Sequence, residues 1–264
     1  MQRRVFSYGS ILLGIVLLCS IATQSDAQVL FEADFDSGGP ANDAANWKPD
    51  NPGQTWAVED FAANGTKGLK HTSAGCALSG NTPFPAVGME DWTDYIVEID
   101  AAWNDDDSWG IIFRQTAVDK GYIAFFGYIE TPHVALADLA VGCGKVGECF
   151  SEGVNCEGND ELVIARQEHG WDVATLVRDA SVIYRLRVEV VGSSIKMSYG
   201  EIGKETVLID VVDSTYAKGG VGIWQESNDN CFIDNVKVTA VRSGVAVHPE
   251  GLLTTTWASI KEGR

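Results

Sequence analysis

The sequence predicts an all-β domain in which two antiparallel sheets pack as a jelly-roll sandwich. Three observations carry that expectation. Short segments alternate apolar and polar residues with a period of two, clusters of Gly, Asn, Asp and Ser separate them, and stretches with the helical period are nearly absent. A chain that turns its side chains to opposite sides at each step needs a sheet with one dry and one wet face, and a dozen or so such strands stack as two sheets.

Residues 1–27 read as a secretory signal peptide. Arg3 and Arg4 give the positive start, residues 11–21 form an apolar run broken only by Gly14 and Ser20, and Ser25-Asp26-Ala27 offers small residues for cleavage before Gln28. The run is about half of the roughly 20 residues that a stable membrane span needs. Leu18 stands where a lipid anchor on Cys19 would want a small residue. No later stretch reaches transmembrane length, so the mature chain is expected not to insert in a membrane and to be secreted, periplasmic or held at the cell surface. The full chain has a formal net charge of −18, and one negative charge more without residues 1–27. That surface repels nucleic acid and anionic lipid and suits divalent cations.

Residues 28–241 are read as the sandwich. Tyr95, Val97, Ile99, Ala101 and Trp103 share one face of a strand, with Glu98 and Asp100 on the other. Trp109, Ile111 and Phe113 alternate with Gly110, Ile112 and Arg114. Tyr184, Leu186, Val188 and Val190 alternate with Arg185, Arg187 and Glu189. Gly192-Ser193-Ser194 marks a hairpin before a strand over 195–199, and His169-Gly170 marks another between segments at 162–167 and 173–177. Further strands are expected at 29–35, 56–59, 69–72, 122–128, 207–211, 221–224 and 232–238. Residues 137–160 read as a Cys-rich insertion, and 242–264 as a C-terminal tail that docks on the domain or serves as a short adapter. Five cysteines follow the signal: Cys76, Cys143, Cys149, Cys156 and Cys231. In an exported chain they favour disulfides, and the loop lacks the Cys-x-x-Cys of a zinc site. One bridge inside the insertion and one from Cys76 to Cys231 is the expected pairing, with one thiol left over.

The stretch Trp103-Asn-Asp-Asp-Asp-Ser-Trp-Gly-Ile-Ile-Phe-Arg114, followed by Gly121-Tyr-Ile-Ala-Phe-Phe-Gly-Tyr128, resembles the strand, acidic turn and aromatic strand of concanavalin A-like sandwiches, the laminin G-like and thrombospondin C-terminal domains above all. Phe31-Glu-Ala-Asp-Phe35 resembles their first strand, and Gly220-Val-Gly-Ile-Trp224 with Phe232-Ile-Asp-Asn-Val236 their closing pair. The resemblance implies a Ca²⁺ site at Asp105, Asp106 and Asp107, with Asp234 added from the closing strand. The chemistry agrees independently: three adjacent carboxylates in a turn repel one another, and a hard cation takes six to eight oxygens from such a turn. A plain polar turn satisfies the same residues.

The fold class also includes glucanases with a Glu-x-Asp-x-Glu strand. Glu98-Ile-Asp100 begins that pattern, but Ala102 and Trp103 stand where the second catalytic carboxylate belongs, and glycoside hydrolysis needs two. Pairing with arginines such as Arg114 or Arg187 is the simpler use of Glu98 and Asp100. The expected function is a non-catalytic binding module for carbohydrate or extracellular matrix polymer, with a polysaccharide or glycoprotein partner; a hydrolase similar to the 3-keto-disaccharide hydrolases and a protein-binding adhesion domain remain alternatives. Sugar rings stack on aromatic faces. Alternation assigns Trp103 and Trp109 to the core, while Trp171 beside a turn and Trp224, out of phase with Val221 and Ile223, are expected to be exposed. Trp171, Trp224 and Arg114 are therefore the candidate ligand contacts.

Overall fold

In a computed structural model, residues 28–48, 55–61, 65–71, 80–84, 88–103, 109–117, 120–127, 133–139, 163–168, 181–225 and 231–241 are described. They contain fourteen strands: β1 (Val29–Ala33), β2 (Trp56–Phe61), β3 (Thr66–His71), β4 (Gly80–Pro83), β5 (Tyr95–Ala102), β6 (Trp109–Ala117), β7 (Lys120–Gly127), β8 (His133–Asp138), β9 (Val163–Glu168), β10 (Tyr184–Val191), β11 (Ser194–Glu201), β12 (Thr206–Val212), β13 (Gly220–Gln225) and β14 (Phe232–Ala240). The expected signal segment, the C-terminal tail and nearly all of the Cys-rich insertion lie outside the described residues. Ala137 and Asp138, where that insertion is expected to begin, belong to β8.

One sheet has eight strands in the order β12-β11-β10-β5-β14-β3-β2, with β1 also on β14. The other has six, in the order β4-β13-β6-β7-β8-β9, and every pairing is antiparallel. The eight-stranded sheet follows the alternation closely. Val97, Ile99, Leu186, Val188, Ile195, Met197, Ile233 and Val238 point into the sandwich. On its outer face Arg187 pairs with Glu98 (3.4 Å) and Glu189 (2.8 Å). Such half-exposed pairs contribute little individually; the Arg187–Glu98 pair, directly across between β10 and β5, favours this register.

The six-stranded sheet behaves differently. Ile111, Phe113, Ala124, Phe126 and Leu136 face the main core. Ile112, Ile123, Phe125, Ala135, Ala137, Leu139 and Trp224 form a second buried apolar cluster on the opposite phase of the same strands. Gly110 shows how closely β6 and β7 approach, since a Cβ there would run into the Ala124 carbonyl oxygen and the Phe125 backbone. At one end of the sandwich Trp103 packs on Trp109, Phe126 and Tyr184 with ring centroids 5.1–5.2 Å apart, and Tyr184 stacks on Tyr199. This is the Trp103 end. The opposite, Arg114 end is where β6 stops and β7 begins.

Cys231 corrects the expected pairing. It carries a free thiol, wholly buried beside the aromatic cluster, and burial pushes its pKa up. An apolar site of this kind holds a cysteine as a small hydrophobe. The other four cysteines lie outside the described residues.

Candidate functional site

The structure distributes the sequence-derived candidates unevenly. Asp105, Asp106, Asp107 and Trp171 lie outside the described residues. The connections that carry them leave from Trp103 and from Glu168, both at the Trp103 end. Asp234 lies near that end too, on the outer face of β14 directly across from Asp100 on β5. Both carboxylates are buried, at 2% and 1% exposure. A buried charge is costly unless it is hydrogen-bonded, and each one is. Arg185 donates from Nε to one Asp100 oxygen (2.6 Å) and from Nη2 to the other (2.9 Å), a two-pronged bond that holds the arginine's pKa up. Asp234 accepts from the Asn235 backbone N–H (2.7 Å), the Asn235 side-chain amide (3.2 Å) and the Thr66 hydroxyl (3.2 Å). Asn235 has a left-handed φ of 48°, in a bulge between Asp234 and Lys237 that turns its N–H back toward the preceding carboxylate.

Asp234 thus offers hard oxygens that already accept from neutral donors. Among the described residues no group of three or more His, Cys, Asp or Glu side chains is arranged to hold a metal ion. Asp105, Asp106 and Asp107, the other expected calcium ligands, are not among those residues. Glu98 and Asp100, the start of the glucanase-like pattern, both sit on the outer face in ion pairs with Arg187 and Arg185.

Trp224 is not exposed. It is 3% accessible and packs on Phe125 at 5.7 Å. It is indeed out of phase with Val221 and Ile223, but the face it points to is itself apolar. Arg114 is not a surface contact either. Alternation sets it opposite Phe113, yet it sits at a register shift in β6 with a left-handed φ of 50°, and its side chain is 1% exposed.

Arg114 anchors the far end of the sandwich. Its Nη1 donates to the Tyr216 carbonyl (2.8 Å), its Nη2 to the Thr93 carbonyl (2.9 Å), and its backbone N–H to the Tyr95 hydroxyl (3.0 Å). Asp94 lies 3.8 Å from Nη2. Burial lowers the guanidinium pKa, opposed by Tyr95, Tyr122 and Asp94. Around it runs a network that sequence reasoning did not assemble. The Tyr122 hydroxyl donates to Asp213 and accepts from the Tyr216 N–H (3.0 Å), and the Tyr216 hydroxyl donates to Asp138 (2.9 Å). Burial, then the bond to Asp213, pushes the Tyr122 phenol up to about 12. Asp213 is held below its ordinary value although burial acts the other way, because Tyr122 and the Thr215 N–H donate to it. One signal was available: Asp213-Ser-Thr215 is an Asx turn, in which the Asp oxygen accepts from the N–H two residues on (2.8 Å).

The sequence matches no protein-family model and no curated protein. Solved structures do match in fold. The Ca²⁺-bound exoplasmic/lumenal domain of VIP36 is 12% identical over 81% of this chain and 90% of that one, with a TM-score of 0.52. Its Ca²⁺/Man3GlcNAc-bound form is 11% identical over 75% and 87%, with a TM-score of 0.50. The legume lectin-like domain from Entamoeba histolytica is 11% identical over 79% and 95%, also at 0.50. The two-sheet sandwich is a concanavalin A-like lectin fold.

Proposed function

We propose that the chain is an exported, non-catalytic lectin-like module that binds carbohydrate, stabilised by Ca²⁺ at Asp105, Asp106 and Asp107. The observation that carries this reading is the lectin sandwich combined with the disposition of its acidic strand: Glu98 and Asp100 are paired with arginines on the outer face rather than opposed across a cleft. VIP36, which shares the fold, takes both Ca²⁺ and a mannose-containing glycan. The acidic turn and aromatic strand support a laminin G-like or thrombospondin C-terminal-like variety of that fold. The basic, apolar and small-residue N-terminus supports export.

Two measurements test the reading. Melting with millimolar Ca²⁺ and with chelator should differ, and the difference should vanish when Asp105, Asp106 and Asp107 are changed together to Asn. Equal melting in both conditions removes the calcium. Affinity electrophoresis in gels containing polysaccharides should retard the chain without release of reducing sugar. Sugar release that is lost on Glu98→Gln or Asp100→Asn would make it a hydrolase instead.

A further inference from the structure

Among the described aromatic residues only three are not buried: Phe232, Trp92 and Tyr216. The Phe232 ring is occupied, with Phe61 edge-on at 5.5 Å and the Lys70 ammonium 5.2 Å above it. Trp92 and Tyr216 both lie at the Arg114 end, on two different connections. The buried Arg114 side chain ties these together, since one guanidinium donates to the carbonyl of Thr93, next to Trp92, and to the carbonyl of Tyr216 itself. The Gly219 N–H closes the same junction on the Trp92 carbonyl (3.1 Å).

Each ring is also fixed from beneath. Trp92 meets Tyr95 edge-on at 6.3 Å, and Tyr216 meets Tyr122 edge-on at 5.0 Å with its hydroxyl on Asp138. Charged groups share the two connections with the rings. Lys218 pairs with Asp91 at 2.6 Å, and Asp94 and Asp213 lie on the same two connections. Rings fixed before a ligand arrives lose little entropy on binding. Half-buried aromatic rings on connections that also carry carboxylates and an ammonium suit a sugar, which presents a C–H face and a rim of hydroxyls. The opposite phase of the six-stranded sheet offers no such platform, because Trp224, Phe125 and their neighbours are buried.

We propose that Trp92 and Tyr216, on connections tied together by Arg114 and carrying Asp91, Asp94 and Lys218, form a saccharide-binding subsite at the Arg114 end. The assignment rests on the carbohydrate-binding reading above and locates it at the end of the sandwich opposite Trp103. The probes are soluble mannan, β-1,3-glucan, xylan and levan. A polymer that retards the wild-type chain should lose at least about tenfold in affinity for Trp92→Ala and for Tyr216→Ala. The same polymer should protect Trp92 of the wild-type chain from oxidation by N-bromosuccinimide, read by peptide mass mapping, and this decides the matter if either variant fails to fold. If no probe binds the wild-type chain, the functional reading and the subsite fall together. If a probe binds, leaves Trp92 unprotected and holds both folded variants as tightly, the subsite alone is overturned.

Discussion

Replacing Arg114 by methionine keeps most of the side-chain length and removes the guanidinium fork. The two carbonyls it serves, on Thr93 and Tyr216, lose charge-assisted bonds of 2.9 and 2.8 Å, each contributing about 1.5–3 kcal/mol. Two effects offset part of that. The carbonyls lie where water can partly replace the arginine, and the variant no longer desolvates a charge whose Nε has no partner. The left-handed φ of 50° is kept by either side chain, so its strain cancels. The net expectation is a loss of about 2–4 kcal/mol, or about 5–12 °C in melting temperature for a domain of this size. Urea unfolding followed by tryptophan fluorescence should show a lower midpoint with an unchanged slope. Arg114→Lys should recover little, because an ammonium cannot reach both carbonyls with planar geometry. A loss under about 0.5 kcal/mol, or full rescue by Lys, would refute the claim that this arginine ties the two connections together.

Two further perturbations read other parts of the fold. Trp224→Ala should cost about 3–5 kcal/mol, as a buried aromatic does; a change within about 0.5 kcal/mol, typical of surface sites, would mean that the ring is exposed after all. The phenol of Tyr122 is raised from an ordinary 10.0 to about 12, so the folded chain holds that proton more tightly than the unfolded one. Its contribution is complete below pH 10 and is lost as pH rises from 10 to 12. Asp213, lowered from 3.8, has the opposite sign: its contribution is present above that value and fades as pH falls below it. Alkaline unfolding followed by tyrosinate absorbance should shift on Tyr122→Phe, and an unmoved midpoint would detach the phenol from alkaline stability.

Legibility followed the physics of each sheet. Strands wet on one face, such as β5 and β10, announce themselves by alternation, and their inward residues were readable one by one. The six-stranded sheet is dry on both faces over β6 to β8, so its strands read as continuous apolar runs, Trp109-Gly-Ile-Ile-Phe113 and Tyr122-Ile-Ala-Phe-Phe126. In such a run being out of phase does not mean being exposed, as the buried Trp224 shows. Such runs are themselves the mark of a strand that is dry on both faces. β8 was not expected at all, and neither was β4, whose Gly-Asn-Thr-Pro carries no pattern. Arg114 departs from alternation for a different reason. A register shift and a left-handed residue redirect its side chain, and alternation cannot foresee either. The Trp92–Tyr216 junction joins residues far apart in sequence, so only the antiparallel topology brings it into view.

The second apolar cluster on the six-stranded sheet has a consequence for how this molecule can diversify. Strands such as β6 to β8, whose central residues are committed to packing on both sides, have almost no position at which a new side chain can be tried without damage. The outer face of the other sheet is knitted by ion pairs that set strand register. Innovation is thereby confined to the connections at the two ends, where substitutions, insertions and changes of length leave the sandwich intact. Two descendants of this chain could keep every strand and still differ in what they hold.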